Sequence, residues 1–180
     1  INSQNDNSVF GKIIFINLKN LNFYNFSKGH RVAQGLYANK DLIIASEHGP
    51  RGGDEINKII YKKNYGWPIA SYGERYDFNY EKKPHYKKSH ASFGFEEPIY
   101  SFSQGLGISE ILMLKDNFSN FFKRDVLTIS TLGAKSIFFA SFDDNFSRIL
   151  SMEKIFLNER VRDLKYHKNS NSILLAFEEN

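Results

Sequence analysis

Apolar residues in this chain fall in short runs, and turn residues separate them at regular intervals. The runs are Lys12–Leu18 (KIIFINL), Asp41–Ser46, Glu55–Ile60, Pro98–Phe102, Ile111–Leu114, Val126–Ser130, Ser136–Phe142, Ile149–Phe156, Val161–Tyr166 and Ile173–Phe177. Each is rich in β-branched or aromatic residues and about five to seven residues long, the usual span of a strand. Apolar spacings of three and four are nowhere sustained over ten residues, so no long amphipathic helix is expected. One helical turn is expected around Asn117–Phe122. The pattern predicts an antiparallel all-β protein: a sandwich, a barrel or a propeller.

From Val126 onward the runs follow one another as an up-and-down meander. That arrangement suits a propeller blade of about forty to forty-five residues. Ten to twelve strands at about four per blade make about three blades, short of the four to eight that close a ring. An open ring leaves strand edges unpaired, so a propeller reading makes this chain a fragment of one. A start on Ile1 rather than Met, with nothing like a signal peptide after it, fits a processed or truncated piece.

Composition narrows the class. The chain has 180 residues, 41% hydrophobic and 16% aromatic, with 17 Phe and 10 Tyr, which is enough for one domain with a real core and excludes a disordered chain. No apolar stretch approaches the length of a membrane span. The net charge of +4 is spread along the chain, whereas nucleic-acid binders concentrate theirs. The densest basic run, Lys82, Lys83, Lys87 and Lys88 with His85, Tyr86 and His90 between them, reads as a solvated loop. Without cysteine, disulfides, zinc thiolates and cysteine nucleophiles are excluded. His30, His48, His85, His90 and His167 lack the local spacings of a zinc site, and each alone reads as a loop or packing residue.

Two loops stand apart. Ser46–Asn57, SEHGPRGGDEIN, follows a strand directly, and its glycines and proline force tight turns that gather backbone carbonyls beside the carboxylates of Asp54 and Glu55. Carbonyls with a carboxylate are what Ca²⁺ prefers, although a plain glycine-rich inter-strand turn fits the spacing too. Asn64–Tyr76, NYGWPIASYGERY, holds the only Trp. The polar stretch Asp77–Glu97 reads as a long excursion between strands. Arg31, just before a strand, could grip a planar carboxylate or quinone oxygen, or form a structural ion pair. Arg160 and Arg162 are two apart on a strand and so share a face, where two guanidiniums repel unless an anion lies between them.

Together these segments resemble the soluble, pyrroloquinoline-quinone-dependent sugar dehydrogenases of the glucose/sorbosone dehydrogenase family. The residues that carry the resemblance are GHR--QGL at Gly29–Leu36, SEHGPRGGDEIN at Ser46–Asn57, KNYGWPIASYGERY at Lys63–Tyr76 and RVRDL at Arg160–Leu164. The resemblance implies a six-bladed β-propeller of about twice this length, with residues 1–180 a C-terminal-half fragment of its single domain. It implies pyrroloquinoline quinone (PQQ) and Ca²⁺ as cofactors, an aldose sugar substrate oxidised at its anomeric hydroxyl, an external electron acceptor, no nucleic-acid partner, and a periplasmic or secreted location. Carried over by motif, Arg31, Tyr76, Arg160 and Arg162 match cofactor-binding positions. Gly49 and Pro50 match positions that present carbonyls to calcium in some members, and Glu55 and the Tyr65 backbone match calcium positions in others. The family's histidine base would lie upstream of Ile1, so no catalytic residue is assigned in this chain and the fragment alone is expected to be inactive. Val32 and Ala33 stand where the family has Asn-Pro, and Gly133 where a lysine is common. These departures leave room for a non-catalytic propeller that has lost the cofactor and binds a ligand or partner.

Overall fold

The structure, a computed structural model, describes residues 2–76, 84–116, 118, 119 and 122–178. Its twelve strands are β1 (Lys12–Ile16), β2 (Phe23–Lys28), β3 (Ala33–Ala38), β4 (Ile43–Glu47), β5 (Asp54–Lys58), β6 (Tyr100–Phe102), β7 (Ile108–Leu114), β8 (Val126–Thr131), β9 (Ser136–Phe142), β10 (Ile149–Phe156), β11 (Val161–His167) and β12 (Ser172–Phe177). Every pairing is antiparallel between consecutive strands. Two four-stranded meanders result, β3-β4-β5-β6 and β7-β8-β9-β10, with two-stranded sheets β1-β2 and β11-β12 beside them. The antiparallel all-β expectation holds; the meander expected from Val126 onward begins one strand earlier, at β7, and breaks after β10, because β11 and β12 form a sheet of their own.

Alternation along each strand explains how the sheets stack. In β4, Ile44 enters the core shared with the β7–β10 sheet, while Ile43 and Ala45 face the cluster that holds Ile13 and Phe26 of the β1-β2 sheet. In β9, Phe138 and Ala140 join the first core, while Ile137 turns to Val161 and Leu164 of β11. Strands β4 and β9 therefore bury apolar residues on both faces, which is why they read as near-continuous apolar runs. Fully buried residues such as Ile44, Ile56, Leu127 and Ile129 each contribute about 1.5–3 kcal/mol relative to exposure. The first strands of successive sheets line up, with β7 packed against both β3 and β11.

All ten expected strand runs are strands, with ends shifted by at most a few residues. Two strands escaped the pattern. In β2, FYNFSK, polar residues break the apolar run. β3, AQGLYA, is the strand expected after Arg31, for which no apolar run gives bounds, and its Gly35 marks a close approach: a Cβ there would lie 2.6 Å from the Ile111 nitrogen of β7 and 2.9 Å from Ser46 Oγ. Of the expected excursion, residues 84–97 hold no strand, only a single 3-10 turn, Ala91–Phe93, while 77–83 lie outside the described residues. Lys82 and Lys83 of the basic run therefore lie outside them too, as do residues 117, 120 and 121 of the expected helical turn.

Candidate functional site

Strand register gathers the singled-out loops at one end of the molecule. Ala33 pairs with Glu47 and Glu47 with Glu55, so the start of β3, the β4–β5 loop and the start of β5 lie together. The His48 ring reaches the Ile108 carbonyl at the start of β7, where Ile108 pairs with Thr131 beside the Gly133 turn. Ser109 Oγ then donates to the Val161 carbonyl at the start of β11, 2.6 Å away. Arg31, Gly49, Pro50, Glu55, Gly133 and Arg160 thus share one end.

The two unusual loops form one unit. Arg51 and Glu74 exchange backbone hydrogen bonds of 2.9 and 2.8 Å, and the Tyr76 hydroxyl donates to the Pro50 carbonyl at 2.7 Å. Gly53, with φ +69°, lies so close beneath Gly73 that a Cβ would come within 2.1 Å of the Gly73 nitrogen. Asp54 is committed to holding this unit in place: it accepts from Gly49 N at 2.9 Å and from Ile108 N at 3.2 Å.

Beneath the loops runs a buried polar network that the sequence reading did not anticipate. His30 Nδ1 lies 2.5 Å from Glu47 Oε1, and His30 Nε2 lies 2.8 Å from Ser27 Oγ. Glu47 also accepts from Arg31 N at 3.1 Å and Asn57 Nδ2 at 3.0 Å. His30 stacks on Tyr65, with ring centroids 4.5 Å apart. Burial alone raises the Glu47 carboxyl, but the His30 charge and these hydrogen bonds outweigh it and hold the group below its ordinary value. Glu55, across the strand pair, goes the other way: burial and the neighbouring Glu47 charge push it up to about 8. The triad-like order Ser27–His30–Glu47 carries no nucleophile, because Ser27 is 2% exposed.

A cavity of about 20 Å³ opens in this network, lined among others by Arg31, Gly49, Glu55, Tyr65 and His90. Four of the eight predicted site residues meet there, and Pro50 and Tyr76 are joined beside it. Arg31 lies over the Trp67 ring at 5.2 Å and donates from Nη1 to the His48 carbonyl at 3.2 Å. Its Nε is buried and has no partner among the described residues, which leaves a donor for an anionic guest.

Arg160 and Arg162 do not line the cavity. An anion does lie between them, and it is Glu178 of the same chain: Arg160 Nε and Arg162 Nη2 each donate to one of its oxygens at 2.7 Å. The Arg160 and Arg162 hydrogen bonds hold the Glu178 carboxyl below its ordinary value. The pair therefore has an internal reason to exist, which sequence spacing alone did not supply. Among the described residues no three His, Cys, Asp or Glu side chains converge at metal-binding spacing.

A family model described as Glucose / Sorbosone dehydrogenase matches residues 2–180. The chain belongs to the glucose/sorbosone dehydrogenase family. Within that family it is 37% identical over 87 residues to aldose sugar dehydrogenase YliI of Escherichia coli, covering 47% of this chain and 22% of that protein. It is 32% identical over 93 residues to quinoprotein glucose dehydrogenase B of Acinetobacter calcoaceticus, covering 44% and 20% respectively. A crystal structure of a glucose dehydrogenase superposes with a TM-score of 0.83 at 26% identity, over 98% of this chain and 54% of that one. The chain thus spans about half the length of that glucose dehydrogenase structure. No helix among the described residues is long and apolar enough to cross a membrane.

Proposed function

We propose that residues 1–180 form the C-terminal half of a six-bladed propeller in a PQQ-dependent aldose sugar dehydrogenase. The reaction proposed for the whole protein is oxidation of the anomeric hydroxyl of an aldose, with the electrons passed on to an external acceptor in the periplasm or outside the cell. Bound PQQ, with Ca²⁺ on its quinone oxygen, would supply the hydride acceptor. Membership of the family supports this reading, as do the names of the two relatives above.

Within that proposal the chain's own residues hold and orient. Arg31, Arg160 and Arg162 would grip carboxylate and quinone oxygens, with Tyr76 beside them, and the carbonyls of Gly49 and Pro50 would face the calcium. The observation that carries the reading is the unpartnered, buried Nε of Arg31, a fixed cation with a spare donor beside the glycine-hinged loop. Arg160 and Arg162 keep eight of their ten N–H donors beyond the two given to Glu178. The base that takes the hydroxyl proton is assigned outside this chain.

Titrating the purified chain with PQQ and Ca²⁺, followed by cofactor absorbance, tests the binding half of the proposal. Micromolar or tighter binding is expected, weakened by about 1.5–3 kcal/mol in Arg31→Ala or Arg160→Ala. No binding at micromolar cofactor, or unchanged affinity in both variants, rules it out and leaves a propeller that binds something else. Dye reduction with aldoses, measured on the protein that includes the preceding half, tests the catalytic half.

A further inference from the structure

The two complete sheets hold four strands each, whereas β1-β2 and β11-β12 hold two each among the described residues. The short sheets are opposite halves of one sheet. β11 packs against β7, the first strand of its neighbour, so β11 and β12 stand as a first and a second strand. β2 runs through residues 29–32 into β3, as β6 runs into β7 and β10 into β11, so β1 and β2 stand as a third and a fourth. Among the described residues β12 pairs only with β11, and β1 only with β2. A second-strand edge and a third-strand edge are therefore both open to pairing. Their directions match: β12 ends and β1 begins at the end of the molecule that carries Arg31, as β4 ends and β5 begins there.

The sheet faces are open in the same complementary way. Leu36 of β3 pairs with Ala45 of β4 and so shares its face, yet Ala45 is buried under the β1-β2 sheet and Leu36 is 52% exposed. The cover missing there is a first and a second strand. Ile155 of β10 pairs with Ile137 of β9, yet Ile137 is buried against β11 and Ile155 is 47% exposed. The cover missing there is a third and a fourth strand. Both short sheets also turn apolar residues outward. Leu174, between the inward-facing Ile173 and Leu175, is 56% exposed. Phe23, on the opposite face of β2 from Phe26, and its partner Ile16 are exposed as well. Apolar side chains this open beside free strand edges mark a surface that another sheet covers.

We propose that the 180-residue chain pairs head to tail with a second copy of itself, β12 of each copy adding to β1 of the other. Each junction then forms one four-stranded sheet, β11-β12 from one copy and β1-β2 from the other. The packing that both short sheets already make within the chain continues across the junction, and Leu174 of one copy comes over Leu36 of the other. Two complete sheets and two halves amount to three blades, so two copies make the six blades proposed above, a count this inference takes from that reading. Each copy then spans half a turn, and a head-to-tail contact that closes at two leaves no edge for a third. Both copies keep their Arg31 end on one side, so closure sets two such ends around a single axis. In the longer protein the preceding half would take the same two edges; in the 180-residue chain the second copy takes them.

The test is the mass of the 180-residue chain, free of quinone and metal, by sedimentation equilibrium at micromolar concentrations. A dimer of twice the chain's 20.9 kDa is expected. Leu36→Lys and Leu174→Glu, each at a position exposed in the single chain, should separately weaken the dimer at least tenfold, with circular dichroism confirming that the variants fold. Mixing the two variants should restore it, because one junction of the mixed ring is unaltered and the other sets Lys against Glu. A monomer throughout, an open series of larger assemblies, single variants as dimeric as the native chain, or no recovery on mixing would each overturn the proposal. If a variant unfolds, amide exchange of the native chain decides. Protection of β1 and β12 that is lost on dilution supports the pairing, and exchange independent of concentration overturns it. None of these readouts involves quinone, so the dimer can stand while the proposed cofactor binding fails, and the reverse.

Discussion

The twin arginines and the Glu55–His90 cavity share an end of the molecule, but their chemistry is opposite. Arg160 and Arg162 are partly exposed, 34% and 49%, and their repulsion is answered by Glu178. Glu55 and His90 are buried, and His90 Nε2, 3.8 Å from Glu55 Oε1, has no hydrogen-bond partner among the described residues. A conspicuous charge pair on the surface can be complete in itself, whereas a buried polar atom without a partner costs about 1–3 kcal/mol and points to something that binds there. Arg31 belongs with the second group, since its Nε is the same kind of orphan.

The contrast can be pressed from the interior outward. Replacing Glu47 with Ala should have the largest effect, because it strands His30, the Arg31 amide and Asn57 in a buried site. A loss of about 3–5 kcal/mol in urea unfolding is expected, and a loss under 1 kcal/mol would show that the network is not a stability element.

Next in size is a pH effect. The Glu55 carboxyl is raised in the folded chain from 4.5 to about 8, so the folded state keeps a proton that the unfolded state releases in that window. Stability of the metal-free chain should therefore be full near pH 4.5 and fall by a few kcal/mol as pH rises towards 8, levelling off above it. Glu47, held below 4.5, adds the opposite trend only at lower pH, where its protonation removes stability. Denaturant midpoints measured from pH 4.5 to 8.5 check the slope, and a rise across that range would reverse the assignment.

The smallest effect belongs to the surface. Glu178→Gln should change unfolding little, because the ion pairs it removes are solvent-screened. It raises the formal charge of the cluster from +1 to +2, so PQQ should bind the variant more tightly. Weaker binding would instead make Glu178 the residue that positions the two guanidiniums.

Much of the fold was legible because its signals are local. Ser136–Phe142 and Ile149–Phe156 are strands with the bounds their apolar runs suggested. Gly35 is different, because its reason lies 76 residues away, in the backbone of Ile111. The candidate site was legible only in part. Glycine-hinged turns pointed to Gly49, Glu55 and the neighbouring loop, yet His30 and His90 looked like isolated histidines. A histidine gains a role from its partner, and no local spacing links His90 to Glu55 or His30 to Glu47.

The sequence by itself determined ten of the twelve strands and the family, since apolar runs, turn residues and motif segments act over a few neighbouring positions. Tertiary structure alone decided which polar groups are satisfied. It joined Arg51 to Glu74, Arg160 and Arg162 to Glu178, and Ser109 to Val161, and it left Arg31 Nε and His90 Nε2 open. The physical reason is that a buried donor or acceptor is judged by what sheet packing brings within about 3 Å of it, whatever the separation along the chain.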